Sequence, residues 1–475
     1  MNGPTGGTER ELKLGVWPEF ELPHLGRAIK GGGLGPQAER RLEAIYFDTA
    51  DLHLLRRGIT LRFRRGEDAG PMWTVKLPAD DQGLGLTRRE VSLPGESGPP
   101  PGLLRDLTRG WALGARLDAV ARMVTVRRSQ PLLDEGGVQL ASIDDDEVAV
   151  LRGRQVTARF RELEVELAED ADDKLLRALA KRLRSAGAQP VPQVPKLVHA
   201  LGPVASEPWE LTPPELGPRP SAVDVLRRRL IEAAGLGLVD HHAPIVLDEH
   251  SHGVRAARRA VRRFVADVLA FEPLLDAEAS RPLCEELRWL AEELGRLERA
   301  DELIALAHAG TAASGGLVSV GPALDALLSA LAAERARILD HLLATLRGPR
   351  YRALLPRVAA FAIEPPLGSA RARRRAAAVV PSLVRHALRD LRRDVAGSAE
   401  AVDDAVLHRL EWPVERLRSA VAAAVPLAGP PARRAAGELD ELGALLHDHR
   451  EELLMGPQLH SVVASGDGAS RAGHA

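Results

Sequence analysis

Residues 8–16 read TERELKLGV. Glu9, Glu11 and Lys13 take alternate positions, with Arg10, Leu12 and Leu14 in the others. Successive side chains of a strand point to opposite faces, so two acids and a base share one face and the leucines share the other. The rhythm returns in RELEVEL (161–167), where Glu162, Glu164 and Glu166 alternate with Leu163, Val165 and Leu167. Between these segments it carries bases: Arg62 and Arg64 in LRFRR, Lys76 in WTVK, and Arg88 with Glu90 in RREV. On one strand a solvated face accounts for such alternation. Across several strands the charged positions hold almost only Glu, Arg and Lys, with acids on the first and last strands and bases between. That segregation suits an acidic patch facing a basic patch across an enclosed space, because enclosed charges are costly unless paired with each other or with a ligand.

Working outward, the region from Thr8 to about Gly202 consists of short alternating segments broken by Gly, Pro and Asp, which predicts an antiparallel barrel or sandwich with a few helices. A proline-rich stretch at 203–221 predicts an extended linker, with a long ordered loop as the alternative. From 222 to 455 the pattern changes to long amphipathic helices rich in Ala, Leu, Arg and Glu, which predicts a helical bundle. Residues 456–475 are small and polar and predict a disordered tail. The 475 residues allow a sizeable core in each half.

The net charge of −2 gives no global field towards nucleic acid or a membrane, so any anion site must come from local clustering. A single cysteine, Cys284, excludes an internal disulfide and fits a reducing compartment. Without a leader-like N-terminus or a long apolar run, the expected location is the cytoplasm. No nucleophilic triad or phosphate-binding GxxxxGK[ST] loop is present. The oligomeric state is left open.

Convergent Arg and Lys bind phosphate oxygens through charge-assisted hydrogen bonds. A group of carboxylates binds a hard cation such as Mg²⁺. Together they hold a metal–polyphosphate complex. The residues that carry this chemistry resemble the CYTH domains, or triphosphate tunnel metalloenzymes: ERELK fits the ExExK pattern, followed in order by YFDT (46–49), LRRGITLRFRR (55–65), WTVK, RRE (88–90), RELEVEL and VPKLVHAL. The resemblance implies an α+β two-domain chain whose N-terminal part is an eight-stranded antiparallel tunnel hydrolysing triphosphate compounds with Mg²⁺ or Mn²⁺. It implies metal ligation by Glu9, Glu11, Glu162 and Glu164, and phosphate binding by Lys13, Arg62, Arg64, Lys76, Arg88 and Lys196. Glu9, Glu11 and Lys13 would form the catalytic group. Arg128 is assigned a further phosphate contact, with its register against Arg127 open, and Asp145 is chosen from the three aspartates of IDDDEV as a metal ligand.

In the second half, HSHGVRAARRAVRRF (250–264) places Arg255, Arg259 and Arg262 on one helical stripe below His252, widened by Arg258 and Arg263. This stretch resembles the HxxRxxxRRxR pattern of CHAD domains. LHRLEWPVERLRSA (407–420) takes the place of the second such helix, with His408, Arg416 and Arg418 in the matching positions. The resemblance implies two four-helix repeats around a basic pocket that binds inorganic polyphosphate. Three departures stand out. Glu298-Arg299 replaces an Arg-Asp pair, Glu411 and Glu415 stand where bases are expected, and Pro413 predicts a kink or a late start in the second helix.

Overall fold

The computed structural model describes residues 5–25, 32–78, 86–313, 322–397 and 404–472. The chain divides into two compact units at Trp209/Glu210, inside the proline-rich stretch. That stretch is not an extended linker. It opens with a 3₁₀ turn at Gly202–Ser206 and buries both Trp209 and Leu211, Trp209 beneath the Arg57 guanidinium.

The first unit contains strands β1 (Thr5–Gly15), β2 (Gly33–Leu34), β3 (Ala38–Asp48), β4 (Thr60–Arg65), β5 (Met72–Pro78), β6 (Leu86–Pro94), β7 (Asp118–Leu133), β8 (Gln139–Arg152), β9 (Gln155–Leu167) and β10 (Gln189–Pro190). Its helices are α1 (Gly102–Thr108), α2 (Asp173–Ser185) and α3 (Lys196–Leu201). Eight strands pair antiparallel in the order β1-β6-β5-β4-β3-β7-β8-β9, and β9 returns to β1, closing the barrel.

Polarity is inverted relative to a filled small barrel. Leu12, Leu14, Ile143, Leu163 and Val165 face outward and are covered by Leu176, Leu179 and Leu183 of α2, which Asp172 caps by accepting from the Lys174 amide. The charged members of the same strands therefore point inward. One end of the interior is apolar: Ala44, Tyr46, Met123 and Val148 pack with Leu52 and Leu55 and with Leu197 of α3. Those side chains plug that end.

The second unit is helical: α4 (Ala222–Ile231), α5 (His242–Val246), α6 (His250–Phe271), α7 (Ala277–Ala313), α8 (Pro322–Arg347), α9 (Pro349–Ile363), α10 (Ala376–Ala396), α11 (Asp404–Ala428) and α12 (Pro430–Ala472). Apart from the short α5, these fall into two successive runs of four. A capping box of Ser221 and Asp224 starts α4, and α6 packs against both α7 and α11 through a buried stripe that includes Val254, Val261, Phe264 and Val265.

Two expectations are corrected. The segment 456–472 is helical, continuing α12, because extending a formed helix costs far less than nucleating one. Pro413 does not delay α11, which is already helical at Asp404, its first described residue, and carries the proline inside.

Candidate active site

The barrel interior is a cavity of about 160 Å³ with an almost wholly polar lining. β1 contributes Glu9, Glu11 and Lys13, β4 Arg62 and Arg64, β5 Lys76, β6 Arg88 and Glu90, β7 Arg127, and β9 Glu164 and Glu166. Lys196 enters from the first turn of α3, and Gln193 ties the segment before it to β1 by exchanging hydrogen bonds with the Lys13 backbone at 2.9 and 3.0 Å. The register explains the convergence: Glu9 lies opposite Arg88, Lys13 opposite Glu164, and Lys76 opposite Glu90.

The interior charges pair extensively. Lys13 bonds Glu164, Lys76 bonds Glu9, and Arg88 bonds Glu11. Lys196 reaches Asp146 at 2.6 Å, Glu164 at 2.7 Å and Glu162 at 3.1 Å, while Arg127 bridges Asp144, Asp146 and Glu164 at 2.6–2.8 Å. Burial disfavours charge on Glu164, but Lys13, Lys196 and Arg127 overcome it and hold the carboxyl well below its ordinary value.

Two places stay unbalanced. Burial pushes the Glu166 carboxyl up to about 7, with repulsion from Glu9 and Asp144 adding to it, and Glu166 forms no ion pair among the described residues. Burial pushes the Arg64 guanidinium down to about 10, helped by its neighbour Arg62 and opposed by Glu67, which pairs with it at 2.6 Å. Arg62 donates to the Tyr46 hydroxyl and keeps its buried Nε unpartnered. The interior thus leaves the Glu166 carboxyl and the Arg62 guanidinium without an ion-pair partner among the described residues.

The all-oxygen donor set around Glu166 fits a hard divalent cation. With the acids turned onto their bases, however, no three such side chains are gathered in ligating geometry among the described residues.

Two assigned residues lie on the wrong face. Asp145 points outward to Arg161 (2.7 Å), and Arg128 points outward to Glu39 (3.0 Å) and Glu147 (2.7 Å). Their neighbours Asp144, Asp146 and Arg127 take the inward positions. The apolar residues mark the parity: Asp145 shares a face with buried Ile143, which belongs outside in an inverted barrel. Glu90, Glu166 and Tyr46 also line the cavity without having been assigned a role, although Glu90 and Glu166 already showed the alternation in the sequence.

In the helical unit, Arg255, Arg258, Arg259, Arg262, Arg263 and Arg418 surround one cavity of about 970 Å³. His252 is exposed and Arg416 pairs with Asp390 at 3.0 Å; neither lines the cavity. His408 lies in α11 but outside the residues whose side chains are described. Most of the arginines are occupied. Arg258, 1% exposed, sits between Glu298 (2.7 Å) and Glu451 (2.6 Å). Arg262 contacts Glu411 (2.5 Å) and Glu415 (3.7 Å) and covers Trp412. Arg255 pairs with Glu298 at 3.1 Å and Arg263 with Glu232 at 2.8 Å. Arg259 is exposed and makes no ion pair among the described residues. The acids that depart from the expected pattern are thus the partners of the buried arginines.

Comparison with known proteins matches residues 8–196 to the model of the CYTH domain and residues 229–455 to that of the CHAD domain. Two Mycobacterium tuberculosis proteins, "Uncharacterized protein Rv2226" and "Uncharacterized protein MT2285", are each 33% identical over 279 residues, which is 56% of this chain. The match spans about half the length of these relatives, 52%. Among solved structures, the CHAD domain from the plant Ricinus communis is similar at 19% identity and a TM-score of 0.44, covering 56% of this chain and 87% of that one. A Hippeastrum protein described as a putative adenylyl cyclase with a dominant triphosphatase activity is similar at 18% identity and a TM-score of 0.26, covering 41% and 98%.

Proposed function

The chain carries a CYTH domain followed by a CHAD domain, and from that premise we propose that its barrel hydrolyses inorganic triphosphate, or a related triphosphate compound, with Mg²⁺ or Mn²⁺. The observation that carries this reading is the convergence of acids and bases on one enclosed space, in which Glu166 and Arg62 keep no ion-pair partner among the described residues and the Arg62 Nε is buried without a hydrogen bond. A cation relieves the first and a phosphate chain the second, so a metal–phosphate complex answers both.

Glu9, Glu11 and Glu166 would hold the cation, with Glu162 and Glu164 joining as Lys13, Lys196 and Arg127 turn from them towards phosphate. When bound, the cation would supply Lewis-acid polarisation of the terminal phosphoryl group and a more acidic water. Arg62, Arg64, Lys76 and Arg88 would orient the chain and neutralise charge that develops on its oxygens. For the helical domain the proposal is binding of inorganic polyphosphate at the 970 Å³ cavity, supported by Arg259, which makes no ion pair among the described residues, and by the half-exposed Arg255 and Arg263 at its rim.

A second reading, a barrel that binds triphosphate without turning it over, is favoured by the lack of three gathered carboxylates among the described residues. Phosphate release from tripolyphosphate, thiamine triphosphate and ATP, each with Mg²⁺ or Mn²⁺, separates the readings and identifies the substrate. Release from tripolyphosphate is expected, with a fall on the order of 100-fold in Glu9→Ala and Glu11→Ala and an unchanged circular dichroism spectrum. Release that persists in both variants would defeat the mechanism, and binding without release from any compound would establish the scaffold.

A further inference from the structure

The positive charge left uncompensated in the helical unit is not concentrated on α6. A second cavity of about 800 Å³ shares no lining residue with the first. Arg227 of α4, Arg357 of α9 and Arg373 from the 3₁₀ turn at Ala370–Arg373 line it. None of the three makes a hydrogen bond or an ion pair among the described residues, and the Arg227 Nε is buried without a partner. Arg357 lies close enough to Glu286 to act on it, but that carboxylate is bonded to Arg350 at 2.8 Å. Among the described residues the one acid in the lining is Glu364, which is exposed. Leu283 and Phe361, both buried, and Val223 supply apolar wall.

We propose that this cavity binds a phosphate or phosphonate dianion carried on an apolar body. Guanidinium groups present planar arrays of donors that match phosphoryl oxygens, and three of them around one space offer more positive charge than a single carboxylate balances. A buried donor without a partner is unfavourable, and an anion reaching Arg227 removes that cost. A bare phosphate chain would leave the part-buried Val223, Ile363 and Leu367 of the lining facing water, whereas an apolar or aromatic body covers them. The volume is that of a small-molecule pocket. The inference does not depend on turnover in the barrel.

Isothermal titration of the full chain with phenylphosphonate, whose C–P bond is not a phosphoanhydride, tests it. Saturable binding is expected, weakened about tenfold or more (about 1.4 kcal/mol) by Arg227→Gln and separately by Arg357→Gln. Arg357 is exposed, so its variant serves even if replacing half-buried Arg227 disturbs folding. Affinity should be unchanged in Arg62→Gln, which alters the barrel, and in Arg259→Gln, which alters the first cavity. No saturable binding, full affinity in the Arg227 and Arg357 variants, or loss in Arg62→Gln would overturn the proposal. So would inorganic phosphate binding as tightly as phenylphosphonate, or retention only on phosphatidic acid vesicles.

Discussion

The barrel interior and the α6 cavity are built from the same side chains, but their charges are distributed differently. In the barrel the pairing leaves a remainder at each pole: neither Glu166 nor Arg62 makes an ion pair among the described residues. Around α6 the buried arginines are balanced, with Arg258 between two carboxylates and Arg262 beside two more. A count of arginines therefore says little about anion binding. What matters is how many of them the protein has already neutralised, since an enclosed charge with good partners gains little from a ligand.

The contrast can be broken first at Glu451. Glu451→Ala strips Arg258 and Arg299 of a shared partner, and breaking a buried pair on one side should cost about 3–5 kcal/mol in urea unfolding. A loss below about 1 kcal/mol would mean that the α6 arginines are not locked.

Glu166 tests the other pole, with a somewhat smaller effect. Its folded value of about 7 exceeds the ordinary 4.5, so the folded chain keeps its proton longer than the unfolded chain does. Below that window the proton is bound in both states and the group has no effect on stability. As pH rises through the window stability falls, by roughly 3 kcal/mol in full. Mg²⁺ should accordingly raise the melting temperature more at pH 8 than at pH 5, and Glu166→Gln should remove the difference. The same pH response in wild type and variant would discard the reading.

The smallest effect is expected at the outward-facing neighbour. Arg128→Gln breaks exposed pairs only, worth about 0–1 kcal/mol, and should leave phosphate release unchanged, whereas Arg127→Gln should lower it. Equal losses in turnover would contradict the assignment of faces.

Strand alternation made the inverted barrel legible, because Glu9, Glu11 and Lys13 could share a face only if Leu12 and Leu14 took the other. It failed where charged residues run together. Asp144–Asp146 and Arg127–Arg128 contain no apolar residue to mark parity, and the answer lay just outside each run, in Ile143 and Val126. The acids of the helical half were visible as departures at Glu298, Glu411 and Glu415. Their pairing with Arg258 and Arg262 was not, because it joins helices more than a hundred residues apart in the chain or depends on which face α6 turns to α7. The second arginine-lined cavity draws its three bases from separate elements, so no local pattern announced it.

The apolar plug of Leu55, Leu197, Tyr46 and Met123 has a consequence for any polymer that visits the barrel. A space sealed at its base admits a linear molecule by its terminus and cannot let it thread through. Bonds would then be reached by counting inward from a free end, and a ring would have no way to begin. Trimetaphosphate, which lacks a terminus, should resist attack under conditions in which the linear trimer is consumed, and its consumption would show that the base opens.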